Sequence, residues 1–378
     1  MTLEIERVTS ERQLREFVKT PWTVYENDPN WVPWLYFERL EFFNKKKNPF
    51  FEHAEADYFI ARRDGRAIGT IAAILNHRHN EFQQENEAHF GVFEVVDDGE
   101  AGLALLETAI DWARRRGVER IVGPMNLSTN DECGMLIEGF DQPPVVLMTY
   151  NPPYYLEMME AAGFEKSMDL LAWLGITDEI VNDMPEKVKR VVGKVKERYQ
   201  LEVRPIRMDD WDAEIDRIKK IYNSAWERNW GFVPMTDAEI EHMADGLKLI
   251  LDPALIFMVE HKGEAVGFSL TLPDVNQPLR RIRPGPSALS SYLAAARLYF
   301  SRYKTDLARV MALGVIEKYR GRGVDALMYY ETAKAALERD YPRLEASWIL
   351  ETNDMMNRPI RLLGGEVYKK YRVYEKEV

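Results

Sequence analysis

Cysteine and histidine are scarce in this sequence of 378 residues, which contains one cysteine, Cys133, and six histidines. A single thiol excludes a disulfide framework and a cysteine-based metal site. The histidines lie apart from one another except for His77 and His79, which we expect in a polar loop rather than on a metal ion. We therefore expect a protein without a resident metal.

Long apolar runs and excess positive charge are also missing. No stretch approaches the roughly 20 apolar residues that cross a bilayer, and the opening residues show no apolar core of a secretion signal. The 50 lysines and arginines are outnumbered by 62 acidic residues, which gives a formal net charge of −12. This charge disfavours nucleic acid as a partner. We expect a cytoplasmic protein that is long enough for two domains.

Glycine and arginine are concentrated in the segment 318–323, which follows a predicted strand, precedes a predicted helix and reads Lys-Tyr-Arg-Gly-Arg-Gly. Glycines let backbone N–H groups approach a ligand, and the N-terminus of the following helix attracts negative charge. The segment therefore predicts a cradle for an anion such as a pyrophosphate. The residues expected to hold it are Arg320, Gly321, Arg322 and Gly323.

A further strand is predicted at 344–350, and it is followed by Glu351 and a turn rich in asparagine. The order of strand, Arg-x-x-Gly loop, helix, strand, asparagine-bearing turn and helix resembles the GCN5-related N-acetyltransferase (GNAT) family. Residues 201–212 and 255–270 look like the first strand and the hairpin of that family. The resemblance implies an α/β (α+β) fold, with a mixed, mostly antiparallel sheet flanked by helices.

The pattern occurs twice in the chain. Residues 64–69 match 262–267 at an offset of 198, and residues 91–94 match 314–317 at an offset of 223. Each match has the same predicted context of strands and turns. We predict two tandem GNAT-like domains.

The change of offset locates an insert in the second copy, at about 273–308, and the first copy has its own insert at about 125–149. The predicted boundaries are 1–175 for a degenerate first domain, 176–200 for a linker helix and 201–378 for a domain that binds acyl-CoA.

The two copies differ at the anion loop. Where the second copy has 317–323, the first has Glu-Val-Val-Asp-Asp-Gly-Glu at 94–100, whose carboxylates would repel a diphosphate. We expect the first domain to bind no coenzyme and to form one wall of the cleft of the second domain.

Two residues of the second copy depart from the GNAT pattern: Asp325 replaces a small residue of the loop motif, and Ile360 replaces a tyrosine that often protonates the thiolate.

The resemblance implies an N-acyltransferase that uses acyl-CoA as a substrate. Such a reaction removes a proton from the amine, needs an N–H donor for the oxyanion and stabilises a thiolate. Glu351 is the candidate base, with a solvated carboxylate or a partner of Arg358 as the alternatives. Tyr371 is the candidate acid, with Tyr368 and Tyr374 as alternatives. Further coenzyme contacts are expected at Leu313, Val315, Asn353 and Asn357.

Two clusters of aromatic and amide side chains are candidates for the acceptor site. Rings beside amides suit a pocket with an apolar body and a few polar groups, and they suit a domain interface equally well. Cys133 could carry an acyl group, but a small buried thiol is the simpler interpretation. The candidate acceptor residues are Trp226, Asn229, Trp230, Asn130, Tyr154 and Tyr155.

The insert 273–308 is basic in an acidic protein, since seven lysines and arginines from Pro278 to Arg309 face a single acid, Asp306. Apolar residues recur in the insert at the spacing of one helical face. Such a helix can lie on an anionic membrane, gate an apolar ligand, or pack between domains with its arginines in solvent. The first alternative predicts a peripheral contact with the inner membrane through 285–304.

The whole chain resembles a bacterial group of tandem GNAT-like proteins, through motifs such as Pro-Asn-Trp-Val-Pro at 29–33. Some members are similar to bacterial ceramide synthases, which implies a lipid-like amine acceptor such as a sphingoid base. Two alternatives remain: a transferase of aminoacyl groups from tRNA, which the acidic charge disfavours, and a binding protein without catalysis, for which Asp325 and Ile360 argue.

Overall fold

The computed structural model describes residues 2–227 and 229–378, without the side chain of Lys187. The strands are β1 (Leu3–Arg7), β2 (Ala54–Arg63), β3 (Arg66–Asn76), β4 (Glu87–Val95), β5 (Arg120–Gly123), β6 (Met135–Glu138), β7 (Glu165–Ile176), β8 (Leu201–Pro205), β9 (Ile256–His261), β10 (Glu264–Pro273), β11 (Leu307–Val315), β12 (Arg343–Leu350) and β13 (Glu366–Glu377).

The helices lie between these strands in chain order. They are α1 (Glu11–Val24), α2 (Tyr36–Phe42), α3 (His77–Gln83), α4 (Gly99–Arg114), α5 (Tyr155–Ala161), α6 (Thr177–Asn182), α7 (Glu186–Arg198), α8 (Trp211–Trp226), α9 (Asp237–Leu247), α10 (Asn276–Ile282), α11 (Ala288–Ser301), α12 (Val324–Glu338) and α13 (Asp354–Leu362). None of the described helices combines the length and the apolar character needed to span a bilayer.

The strands of the described residues form one continuous sheet in the order β1-β2-β3-β4-β5-β13-β7-β12-β11-β10-β9-β8, with β6 beside β13. Neighbouring strands are antiparallel except for the pairs β4/β5 and β11/β12, which are parallel. The sequence prediction of a mixed, mostly antiparallel sheet flanked by helices is confirmed.

The two halves of the sheet have the same strand order when each half is counted inward from its edge. Five strands of each repeat form one side, and two long strands join the sides. Strand β7, which ends the first repeat, pairs with β12 of the second, while β13, which ends the second repeat, pairs with β5 of the first. The final strands are therefore exchanged, and 1–175 alone lacks the strand that lies between β5 and β7. The predicted domain boundaries stay a prediction.

Both faces of the sheet are buried in the first repeat. Phe59, on one face of β2, packs with Leu105 of α4. Its neighbours Tyr58 and Ile60, on the opposite face, pack with Phe17 of α1. Side chains alternate between the faces of a strand, so a strand covered on both sides is apolar throughout. This explains the nearly continuous apolar run at 67–75 in β3 and the shorter run at 58–61 in β2.

The linker helix α7 lies against α12. Val192 and Val195 of α7 pack with Val324, Leu327 and Met328 of α12 in one buried cluster. The contact holds the N-terminus of α12 in place, immediately after the glycine–arginine loop. The linker thereby helps to shape the predicted anion site.

Candidate active site

Strands β11 and β12 separate and open a groove in the sheet. They pair as far as Val310 and Ala346, although β11 continues to Val315 and β12 to Leu350. A cavity of about 300 Å³ lies in the gap. Polar backbone groups along the opened edge of β11 are therefore free to meet a ligand.

The backbone of Leu313 and Val315 faces this groove. The N–H of Ile316 donates to the carbonyl of Val266 on β10 at 3.0 Å. Hydrogen bonds alternate along an antiparallel pair, so the N–H groups of Leu313 and Val315 point away from β10 and toward the opened edge. Both residues line the cavity. They can donate to an extended ligand or to a developing oxyanion.

The groove ends at the glycine–arginine loop and the start of α12. Gly321 and Gly323 have φ angles of 66° and 83°, which favour glycine. A Cβ atom at Gly323 would also lie 2.8 Å from the side chain of Val191 and 2.9 Å from that of Val195. No side chain caps this helix, so the N–H groups of its first turn are available to an anion.

The two arginines of the loop have different surroundings. Arg320 donates to the carbonyl oxygens of Val315 at 3.1 Å and Ser224 at 2.8 Å, so it ties the loop to the end of α8. The guanidinium of Arg322 lies 5.5 Å from the ring centre of Tyr199 on an exposed part of the loop. Of the described residues, Arg320 lines the groove and Arg322 does not, but Arg322 is the one of the two whose guanidinium is not occupied by backbone carbonyls, so it is available to a phosphate at the rim of the groove.

In the first repeat, the N-terminus of the corresponding helix, α4, is already bound by a carboxylate of the protein itself. Asp98 caps α4 by accepting from the N–H of Ala101 at 3.1 Å. Its carboxylate also accepts two hydrogen bonds from Arg63, at 2.8 and 2.9 Å. The counterpart of Asp98 in the second repeat is Gly323, since each is the N-cap of the helix after the splayed strand.

The opened strand edge of the first repeat is also occupied. Val95 pairs with Gly69 as Val315 pairs with Gly267, so the two valines hold the same register position. The N–H of Val95 donates to the Tyr155 hydroxyl at 2.7 Å, and its carbonyl accepts from the Tyr154 hydroxyl at 2.8 Å. Protein groups thus take the positions where we expect coenzyme in the second repeat.

This register corrects the sequence alignment of the repeats. The alignment matched Glu94 with Glu317, whereas the sheet places Glu94 opposite Thr70 and Gly314 opposite the equivalent Phe268. Glu94 therefore occupies the position of Gly314. Both repeats have an irregularity in this pair of strands, between Thr70 and Ala72 in the first and between Leu270 and Thr271 in the second, so the correct register follows from the strand pairing and not from matching residue types.

A second, larger cavity of about 740 Å³ adjoins the groove. Several described residues line both spaces and so form the junction between them. The junction residues are Trp226, Asn229, Met311, Ala312, Ser347 and Trp348. The other walls come from the first repeat and from α9, α10 and α11. A molecule held in the groove can therefore reach into a space enclosed by both repeats.

The larger cavity is lined by acidic and aromatic side chains. Among the described lining residues, seven are carboxylic acids, two are arginines and one is a histidine. One of the arginines, Arg39, is buried against Glu132. The acids are Glu38, Glu41, Glu94, Asp131, Glu132, Glu239 and Asp245. Most of these acids are already paired with a cationic side chain, whereas Glu94 and Asp131 have no ion pair among the described residues. These two acids, beside the aromatic rings, suit a cationic ligand with an apolar body, such as a long-chain ammonium ion.

Glu94 is the carboxyl group in this wall with the most unusual environment. It is 8% exposed and accepts hydrogen bonds from the hydroxyls of Tyr25 and Tyr155. Burial raises the pKa of Glu94 to about 8. Its sequence signal is a glutamate directly after the apolar residues Val92 and Phe93 near the end of a strand. The sequence pattern by itself assigns Glu94 only to a run of carboxylates that repels a diphosphate.

Asp131 is a second buried carboxyl group of the cavity. Burial raises the pKa of Asp131 to about 7, and the Ser128 hydroxyl donates to it at 2.9 Å. The adjacent Asn130 accepts from Tyr222, whose ring packs 4.6 Å from that of Trp226. Asp131 is thus connected to the junction by a short series of contacts.

The structure brings four of the six expected acceptor residues to the larger cavity. Asn130 and Trp230 line its wall, and Trp226 and Asn229 lie at the junction. Tyr154 and Tyr155 do not line it, because they lie beneath the opened strand of the first repeat.

The two expected catalytic residues lie elsewhere. Glu351 accepts from Lys166 at 2.8 Å and from the N–H of Asp169 at 3.2 Å. Its alternative partner, Arg358, bonds a different acid on its own helix. Tyr371 is 1% exposed and packs inside the sheet. Neither Glu351 nor Tyr371 is among the described residues that line the groove or the larger cavity.

The two expected asparagine contacts are separated. Asn353 lines the groove, where it caps α13 by accepting from the N–H of Met356. Asn357 is buried and already bonds Trp173 at 3.0 Å and the carbonyl of Leu350 at 3.0 Å. Asn353 can therefore reach a ligand, whereas the side chain of Asn357 is occupied by the protein. Asp325 and Ile360 also line the groove.

A buried charged network lies beneath the junction. Arg309 donates to the Ser347 hydroxyl at 3.0 Å and to the carbonyl of Val146 at 2.6 Å. Glu345 has no exposed surface and accepts from Ser347 and Tyr368. In the sequence, Arg309 is the last residue counted with the basic insert. Its position on a predicted strand is what indicates a structural role.

Three potential metal ligands lie together in the first repeat, away from the groove. Nε2 of His79 and Nε2 of His89 lie 2.8 and 3.0 Å from one oxygen of Glu87. The other oxygen of Glu87 accepts from Arg120 at 2.6 Å, so its charge is already balanced. The expectation of a polar loop is wrong for both histidines, because both lie in α3: His77 is exposed at its first position, whereas His79 is 2% exposed.

The fold is that of tandem GNAT proteins. The chain is similar to the tandem GNAT protein from the clavulanic acid biosynthesis pathway, with a TM-score of 0.58 and 13% identity over 100% of this chain and 98% of that one. It is also similar to the GCN5-related N-acetyltransferase from Sphaerobacter thermophilus, with a TM-score of 0.51 and 14% identity over 99% and 95%. The expected arrangement of two tandem GNAT-like units is confirmed.

Two proteins are related to the chain over nearly its whole length. The bacterial ceramide synthase of Caulobacter vibrioides is 36% identical over 99% of this chain and 97% of its own. Protein YghO of Escherichia coli K12 is 33% identical over 98% of this chain and 94% of its own. The chain belongs to the family of these two proteins. No protein-family model matches the sequence. The expected class, a GNAT-fold acyltransferase, is confirmed at the level of family and fold.

Proposed function

We propose that this protein is an acyl-CoA-dependent N-acyltransferase whose acceptor is a lipid-like amine of the sphingoid-base class. The observation that carries the proposal is the junction of two different cavities. One has free strand N–H groups and a helix start suited to a pyrophosphate. The other is aromatic and acidic and suits a long-chain amine. The name of the Caulobacter relative supports the same substrate class.

In this proposal, the coenzyme lies in the groove of the second repeat. Its pyrophosphate contacts the first turn of α12 and Arg322, because both offer positive charge at an exposed helix start. Its pantetheine chain runs along the opened edge of β11 and beside Asn353. The thioester then lies near the junction, where the N–H groups of Leu313 and Val315 can bond the carbonyl oxygen.

The amine approaches from the larger cavity. It enters as an ammonium ion, which the carboxylates of the wall attract. We assign proton removal to Glu94, because a base with a pKa near neutrality is the most effective at neutral pH. Asp131 is assigned to hold the ammonium group. The free amine attacks the carbonyl carbon, a C–N bond forms and the C–S bond breaks. The second proton of the nitrogen passes to the departing sulfur, so that coenzyme A leaves as the thiol.

The test is turnover with palmitoyl-CoA and a sphingoid amine, measured as released thiol and as the amide product. We expect activity, and we expect Glu94→Gln to remove most of it. Glu351→Gln is the matched control, because it neutralises a carboxylate outside both cavities. No amide product with any acyl-CoA, or loss in Glu351→Gln but not in Glu94→Gln, would overturn the assignment.

A tRNA-dependent reaction is not favoured. The acidic wall of the larger cavity would repel the phosphates of a nucleic acid close to the junction. The same acids attract a free amine. The acyl-CoA-dependent reaction is therefore the one function that we propose.

A further inference from the structure

Helix α11 turns its apolar side toward solvent. Ser291, Ala294 and Leu298 face the protein and are buried, whereas Leu289 is 73% exposed and Phe300 is 81% exposed. An ordinary surface helix has the opposite orientation. This disagrees with the alternative in which the whole apolar side packs between the repeats, since most of its residues are exposed. The exposed residues, called the α11 face below, are Leu289, Tyr292, Leu293, Tyr299, Phe300 and Tyr303.

Basic side chains surround the α11 face. None of them has a carboxylate within ion-pair distance among the described residues. The one acid of the segment, Asp306, pairs with Arg343 at 2.6 Å. The basic residues are Arg280, Arg281, Arg283, Arg297, Arg302 and Lys304. A positive, apolar surface on a protein with a net charge of −12 is complementary to an anionic and apolar partner.

The α11 face is continuous with the rim of the larger cavity. Tyr292 stacks on Phe37 of the first repeat, with ring centres 4.7 Å apart, and Phe37 lines the cavity. Leu298, on the inner side of α11, lines it too, as do the partly exposed Leu147 and Leu249. A molecule on the α11 face therefore has a short apolar path into the cavity.

We propose that the α11 face docks on an anionic lipid bilayer and that the lipid amine enters the cavity from that bilayer. Docking follows from the surface itself, while the entry route rests on the proposed function. A lipid surface satisfies the rings and the cations together, because acyl chains accept the rings and headgroups pair with the arginines. A second copy of the protein does not satisfy both, because a two-fold symmetric contact would bring the like charges of the two copies together.

Vesicle flotation of the full chain tests the docking. Vesicles of phosphatidylcholine with phosphatidylglycerol are compared with vesicles of phosphatidylcholine alone. We expect flotation with the anionic vesicles and weakening by added salt. The variant Leu289→Ser/Phe300→Ser should bind about tenfold or more weakly, as should Arg297→Glu/Lys304→Glu.

The matched control is Met208→Ser/Leu362→Ser, because both residues are exposed apolar residues away from α11. It should float like the wild type. Absence of flotation with anionic vesicles, or equal loss in the control, would overturn the proposal. A dimer that Leu289→Ser/Phe300→Ser dissociates, seen by sedimentation without vesicles, would also overturn it in favour of a second copy.

A second readout separates this proposal from the proposed function. Turnover of detergent-dispersed substrates without vesicles should be unchanged in Leu289→Ser/Phe300→Ser. Lost flotation with retained turnover supports docking as a separate property of α11. Retained turnover in a wild type that never floats rejects the docking and leaves the acyltransferase assignment intact.

Discussion

Replacing Glu94 with glutamine should stabilise the protein relative to the wild type, and this difference should increase as the pH rises. Glu94 is buried, and its folded pKa of about 8 lies above the ordinary value of 4.5. Between these values the unfolded chain has released the proton and the folded protein still holds it. The free energy of unfolding of the wild type therefore falls with rising pH, by up to roughly 1.4 kcal/mol per unit from this group.

Glutamine is uncharged throughout, and its carbonyl oxygen can accept from Tyr25 and Tyr155 as the carboxyl does. The two proteins should be similar in stability near about pH 4.5, and Glu94→Gln should be more stable by roughly 4 kcal/mol near about pH 8. Above the folded pKa the difference should become constant.

Urea unfolding of both proteins across this pH range measures the difference. A Tyr25→Phe variant is informative, because the Tyr25 hydroxyl lowers the pKa of Glu94. Its removal should extend the fall in stability to higher pH. Parallel stability curves for the wild type and Glu94→Gln would refute the assigned environment of Glu94, and with it the assignment of this group as the base.

Three other substitutions test separate parts of the structure. Asp325→Asn removes a carboxylate from the groove, so coenzyme A should bind about threefold to tenfold more tightly by calorimetry; unchanged affinity would contradict the phosphate position. Arg309→Met leaves Glu345 buried without its nearby cation, so chemical unfolding should show a loss of about 3 kcal/mol. Glu351→Gln should leave kcat and KM nearly unchanged, and a large loss of kcat would restore that residue as the base.

Much of the fold could be predicted because its signals are local. The Gly-Glu-Ala-Val-Gly hairpin of β9 and β10 and the loop at 318–323 fix strands and a helix start by short-range chemistry. The exchange of β7 and β13 could not be predicted in the same way. Alternation of apolar residues predicts that a strand is buried, but it does not predict which strand lies beside it.

The candidate site was predictable on the coenzyme side and not on the acceptor side. Leu313, Val315 and Gly323 belong to one continuous segment, so their proximity follows from the chain itself. Glu94 lines the adjoining larger cavity from the other repeat, through a packing of domains that residue order does not specify. Glu351 is a candidate by sequence because it follows β12 directly, yet the beginning of β7 supplies a lysine that pairs with it.

The most direct test of the central claim, that one repeat binds the coenzyme and the other helps to bind the amine, is a calorimetric titration with coenzyme A. The account predicts a single coenzyme per chain, weakened by Arg322→Glu and unaffected by Asp98→Ala. Two coenzymes per chain, or binding lost in Asp98→Ala and kept in Arg322→Glu, would contradict it.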